Sequence, residues 1–130
     1  MPMAAHFAFK ILEAHKGQIV ASAEPSSGHY NPFHVAQGGF AATVLDIVLG
    51  LVSITMLTDA EQSVATTDLV VRYFKAITER TGVMTALGTI IHAGSKTIAA
   101  ESKLHDGSGR LYALAQSTSL ILASRTERRS

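Results

Sequence analysis

Phe40–Leu57 reads FAATVLDIVLGLVSITML, and its only charge is Asp46. The stretch follows the small triplet Gln37-Gly38-Gly39 and stops before the polar run TDAEQ, so a helix is expected over roughly 38–57. An ionised carboxylate among aliphatic side chains is costly unless it is paired or used. Asp46 is therefore either a core carboxylate bonded to some backbone group or a working residue. The length reaches the lower limit for a membrane span, about 17 residues. A central Asp would cost about 2.5–3.5 kcal/mol there. No Lys or Arg flanks either end, the nearest being Lys16 and Arg72. A helix buried by a sheet and by a partner subunit is the better reading, with no membrane partner.

The flanking sequence supplies that sheet. FAFKIL (7–12) and GQIVASAE (17–24) read as a short strand pair around a Lys16-Gly17 turn. PSSGHYNPFHVAQGG, 25–39, is loop chemistry. After the helix come four segments with strand character. They are VATTDLVVRYFK from Val64 to Lys75, then Val83–His92, Thr97–His105 and Leu111–Leu122. In the third, Ile98, Ala100 and Leu104 face one way and Glu101, Lys103 and His105 the other. Asp106-Gly107-Ser108-Gly109 marks a hairpin before the last. The order is two short strands, one long apolar helix, then four strands expected as a meander. A helix with one sheet available must be wrapped by it, which makes the class α+β. Open sheet edges favour pairing of two chains, so a homodimer is expected.

At 130 residues the chain is expected to form one domain, 1–130, with a core over about 7–122 and a polar tail over 123–130. Hydrophobic residues make up 47% and charged residues 16%, which marks a globular chain. A net charge of +1 and the lack of a basic stripe exclude nucleic acid as a partner. The terminal Arg125, Arg128 and Arg129 read as a solvated tail. The chain has no cysteine, so thiolate metal sites and cysteine nucleophiles are out; a reducing cytoplasm fits. MPMAAHFAFK has no basic region followed by an apolar run, so no signal peptide is read.

The chemistry gathers around the helix. Its start at Gln37-Gly38-Gly39 offers free N–H groups and the positive end of the helix dipole to an oxygen gaining negative charge. Glycines let a substrate approach that backbone closely. With Asp46 about two turns inside, this is a kit for acyl transfer. Asn31 beside Pro32 is a turn former whose amide could orient water. Thr66 and Thr67 favour strand, and a Thr hydroxyl could also hold an attacking water. Asp68 reads as an edge charge or an anchor. The six histidines show no HxH or HExxH spacing, so no metal site is read. GxSxG, P-loop and GxGxxG motifs are absent as well. Gly94-Ser95-Lys96 is a turn first and a phosphate contact second.

The run NPFHVAQGGFAATVLD, Asn31 to Asp46, resembles the N-x-x-G-x-x-H-G-G-x-x-x-x-x-x-D block of hotdog-fold acyl-CoA thioesterases. The branch it resembles is the phenylacetate-pathway type within the 4-hydroxybenzoyl-CoA thioesterase superfamily. TTDL at 66–69, HAGSK at 92–96, AESKLHD and GRLYALA extend the likeness over about 28–122. The resemblance implies a helix wrapped by a five- or six-stranded antiparallel sheet. It also implies homodimers that often pair into tetramers, active sites at the dimer interface, and an acyl-CoA substrate without a separate cofactor. By position, Asp46 resembles the catalytic carboxylate, acting as general base or nucleophile. Asn31 matches the residue placing carbonyl or water, and Gly39 the backbone N–H that polarises the thioester. Thr66 falls where a Ser or Thr of the other subunit holds the water. Gln37, Gly38, Phe40 and Lys96 match substrate contacts, Lys96 toward the coenzyme A phosphates.

Two positions depart from that pattern. The His before Gly-Gly is Gln37, and the Gly after Asn-x-x is His34. Gln37 can hydrogen-bond but cannot carry a proton, while the backbone oxyanion donor is untouched. An acyl-thioester hydratase of this fold would need His five residues after the Asp, where the chain has Leu51. A non-catalytic acyl-CoA-binding protein is the other rival.

Overall fold

The computed structural model of the chain describes residues 3–26, 29, 32, 33, 35, 38–78 and 80–123, which contain one α-helix and six strands. The helix is α1 (Gly38–Ile54). The strands are β1 (Lys10–His15), β2 (Gln18–Ala23), β3 (Ser63–Tyr73), β4 (Met84–Ala93), β5 (Thr97–His105) and β6 (Leu111–Leu122). They form one antiparallel sheet in the order β1-β2-β4-β5-β6-β3.

This order corrects the expected meander. β4, β5 and β6 do follow one another, but β4 already has β2 on one side and β5 on the other. β3 takes the free side of β6, and the chain crosses the end of the sheet between Tyr73 and Met84. β1 also starts later than expected, because Met3–Phe7 forms a 3-10 turn and Ala8 adopts φ 50°. α1 ends at Ile54 because the following bonds tighten to i→i+3 spacing, Met56 N–H to Ser53 and Leu57 N–H to Ile54. The Thr55 hydroxyl then accepts the Gly17 N–H at 2.9 Å, tying the helix end to the β1–β2 turn.

Many inward sheet positions are small, which lets the helix lie close. Ala21, Ala23, Ala86, Ala100, Ala113 and Ala115 are buried under Val44, Leu45, Val48, Leu49 and Val52. Each of those helix side chains contributes about 1.5–3 kcal/mol on burial. Ser102 Oγ donates to the Leu45 carbonyl at 3.2 Å, joining helix to sheet through a satisfied buried polar group. At Gly88 the approach is closest, since an added Cβ would sit 2.6 Å from Val48 Cγ1. Gly88→Ala should therefore lower stability by about 1–3 kcal/mol, readable in urea denaturation; unchanged stability would contradict this packing.

β1 and β3 are the two edges of the sheet, and β3 is the longer. The Tyr112 carbonyl accepts the Phe74 and Lys75 N–H groups, so even-numbered residues of β6 turn their polar backbone toward β3. By alternation Val70 and Arg72 bond to β6, through Gln116 and Leu114, while Leu69 and Val71 turn theirs outward. Leu69, Val70, Tyr73 and Phe74 are all exposed along this edge. No helix among the described residues is long and apolar enough to cross a membrane.

Candidate active site

Asp46 is not buried in one chain. The sheet covers one side of α1, and the turn of the helix brings Gly39 and Asp46 out together on the other. In one chain Asp46 is thus not a core carboxylate: Val44, Leu45, Val48 and Leu49 point to the sheet while it points out. Among the described residues its side chain makes no hydrogen bond or ion pair. Seven residues separate the two positions, a rise of about 10 Å, and the Asp46 side chain tilts back toward the helix start. A Cβ added at Gly39 would meet nothing within 4 Å, so the space before that backbone is open.

The helix start itself is held from two sides. Tyr73, at the end of β3, donates its hydroxyl to the Gly38 carbonyl at 2.8 Å. Phe40 is only 3% exposed, and its ring packs against Phe7 and His29 at centroid distances of 5.5 and 5.1 Å. Phe7 and His29 stack on each other at 4.9 Å. Phe40, read as a substrate contact, is in one chain a packing residue that anchors the N-terminal segment to the helix.

Thr66 lies exposed on β3 beside a bulge between Thr66 and Asp68. The extra residue, Thr67, donates its hydroxyl to the Thr118 carbonyl at 3.0 Å, and Asp68 accepts the Thr118 N–H at 2.8 Å. Asp68 is the anchor of the bulge. Register separates Thr66 from Asp46 within one chain. Leu45 bonds Ser102, Ser102 pairs with Ala115 and Ala115 with Val71, whereas Thr66 pairs with Ser119. That is four residues further along β6, about 13 Å. Lys96 lies at the far end of the sheet. Its carbonyl accepts the Ile121 N–H, while Tyr73, bonded to Gly38, pairs with Ala113, about 26 Å back along β6. Asn31 and Gln37 lie outside the described residues.

A cavity of about 360 Å³ opens at the helix start, lined by Val35, Gly38, Ala41, Tyr73, Phe74 and Ile77 among others. Lys75, which also lines it, carries its ammonium over the Tyr112 ring at 5.6 Å from the centroid. The sequence reading missed Tyr73, Phe74 and Lys75 as site residues, because Tyr-Phe-Lys at the end of a β-rich run reads only as strand. Among the described residues no group of three His, Asp or Glu converges to hold a metal ion. Asp106 is held well below the usual carboxylate range, first by the Ser108 hydroxyl and then by the Arg110 and Ser108 N–H groups. Its place in the β5–β6 hairpin makes that a turn lock.

No protein-family model matches the sequence, and no curated protein matches it. Solved structures do. A thioesterase from Haemophilus influenzae superposes with TM-score 0.84 at 18% identity, covering 92% of this chain and 82% of its own. A variant of a Staphylococcus aureus thioesterase gives 0.87 at 19%, over 95% and 100%. The PaaI protein of the phenylacetic acid degradation operon in E. coli gives 0.86 at 14%, over 95% and 86%. These neighbours are hotdog-fold proteins, and this chain has the hotdog fold, one helix packed on a six-stranded antiparallel sheet.

Proposed function

We propose that the chain is an acyl-CoA thioesterase, releasing free acid and coenzyme A. The observation that carries this is the shared exposed face of Asp46 and Gly39 on α1, in a fold whose neighbours are named thioesterases. A thioester carbonyl with its oxygen about 3 Å from the Gly39 N–H, and its carbon about 3 Å from an attacking oxygen, fits the gap between them. Asp46 takes a proton from water as the water oxygen attacks the carbonyl carbon, or attacks that carbon itself to form an anhydride that water then opens. In either course the carbonyl electron pair moves onto oxygen, where the Gly39 N–H and the helix dipole stabilise it. Collapse expels the coenzyme A thiolate. That sulfur leaves readily without a protonating acid, so Gln37 in place of His does not block the reaction.

The working unit is a homodimer joined along β3, with further pairing into tetramers. The outward backbone groups of Leu69 and Val71 and the exposed apolar edge support this. It also supports Thr66 serving Asp46 of the other copy, since 13 Å of sheet separates their levels in one chain. Asn31, Gln37 and Lys96 complete substrate contacts in this reading.

The test is thiol release from acetyl-, hexanoyl-, palmitoyl- and benzoyl-CoA. Thiol release from at least one is expected. Binding without release would mean an acyl-CoA-binding protein, and hydration of added crotonyl-CoA without thiol release would mean a hydratase; either result overturns the reading.

A further inference from the structure

Resting on the thioesterase reading, we infer that Tyr73 is a positioning residue for the oxyanion donor, acting through the Gly38–Gly39 peptide. The Gly38 carbonyl and the Gly39 N–H belong to one planar unit and point in opposite directions. A hydroxyl bonded to the oxygen at 2.8 Å therefore adds to the helix's own bond at that carbonyl a second restraint on the direction in which the N–H points. It also draws electron density toward that oxygen, which makes the N–H a stronger donor.

The helix start needs such a restraint. Two consecutive glycines are the residues with the most conformational freedom to lose, and the first turn of α1 holds no acidic side chain to cap it. Oxyanion stabilisation depends on donors that are already aimed. The geometry explains the first glycine as well. A Cβ at Gly38 would lie 3.2 Å from the Tyr73 hydroxyl oxygen and 3.3 Å from the ring carbon bearing it. Gly38 is thus the residue that lets the phenol reach the backbone, whereas Gly39 faces open space. Tyr73 also lines the cavity at this point, so a group bound there lies against the same ring.

The experiment is Tyr73→Phe, which removes one oxygen and keeps the ring. With the fastest-hydrolysed of the four thioesters above, kcat should fall about tenfold while KM stays within about twofold. Loss of a direct donor would cost more, about 10²–10³-fold. Gly38→Ala, which displaces the phenol, should lower kcat alike. A spectroscopic reading separates positioning from mere support. The ¹³C-labelled carbonyl of the same thioester, bound to Asp46→Ala protein, should absorb at lower infrared frequency than in water. Adding Tyr73→Phe should shrink that shift. An active protein whose kcat and carbonyl frequency ignore Tyr73→Phe overturns the inference, as does lost activity with an unchanged frequency. Absence of thiol release by the unaltered protein overturns the thioesterase reading itself, which is a different result.

Discussion

Asp46→Ala is expected to lower turnover of any accepted acyl-CoA by about 10³-fold or more while acyl-CoA binding persists. The fold should not suffer. Asp46 is exposed, its side chain has no hydrogen bond or ion pair among the described residues, and it sits mid-helix, where Ala is the better helix former. Stability should change by no more than about 0.5 kcal/mol, and any change should be upward. This pairing of lost activity with kept stability separates a working carboxylate from a structural one. A core carboxylate would show the reverse, a less stable protein that still turns over. Denaturant melts and thiol release on the same preparation decide between them, and near-normal turnover would remove Asp46 from the mechanism.

Much of the fold was legible, and what was not has physical causes. β5 and β6 have the expected limits, because their alternation is clean and the Asp106–Gly109 turn divides them. The helix start was legible from Gly38-Gly39, but its end depended on Thr55 bonding a turn that is distant in sequence. Alternation tells which way a side chain faces and not which strand lies beside it, so sequence order puts β3 next to β4, whereas it lies beside β6. The core reading of Asp46 fails in one chain for a related reason. Its neighbours in sequence are aliphatic, but a period of 3.6 sends them to the sheet and sends Asp46 out with Gly39. Tyr73 left no signal at all, since a hydroxyl bonding a carbonyl 35 residues away obeys no spacing rule. The candidate site was legible as residue types on the helix and illegible wherever the sheet brings residues to it.

Mixing two inactive variants should restore activity if the site is shared between copies. Thr66→Ala alone should be impaired about 10²-fold through loss of the hydroxyl that holds the attacking water, and Asp46→Ala more deeply. In a two-fold dimer, a chain carrying Asp46→Ala still offers its Thr66, and a chain carrying Thr66→Ala still offers its Asp46. When the two are unfolded together and refolded in equal amounts, about half the dimers are mixed, and each mixed dimer has one site with both residues intact. Activity should then rise to about a quarter of the unaltered protein's, far above either parent. The prediction follows from register, because the pairing of Thr66 with Ser119 and the bond from Ser102 to Leu45 set the two residues at different levels of one sheet. Antiparallel pairing across the open edge of β3 reverses direction and carries Thr66 of one copy back toward Asp46 of the other. A mixture no more active than its parents would put both residues in the same chain's site, and the β3 edge would then need another role.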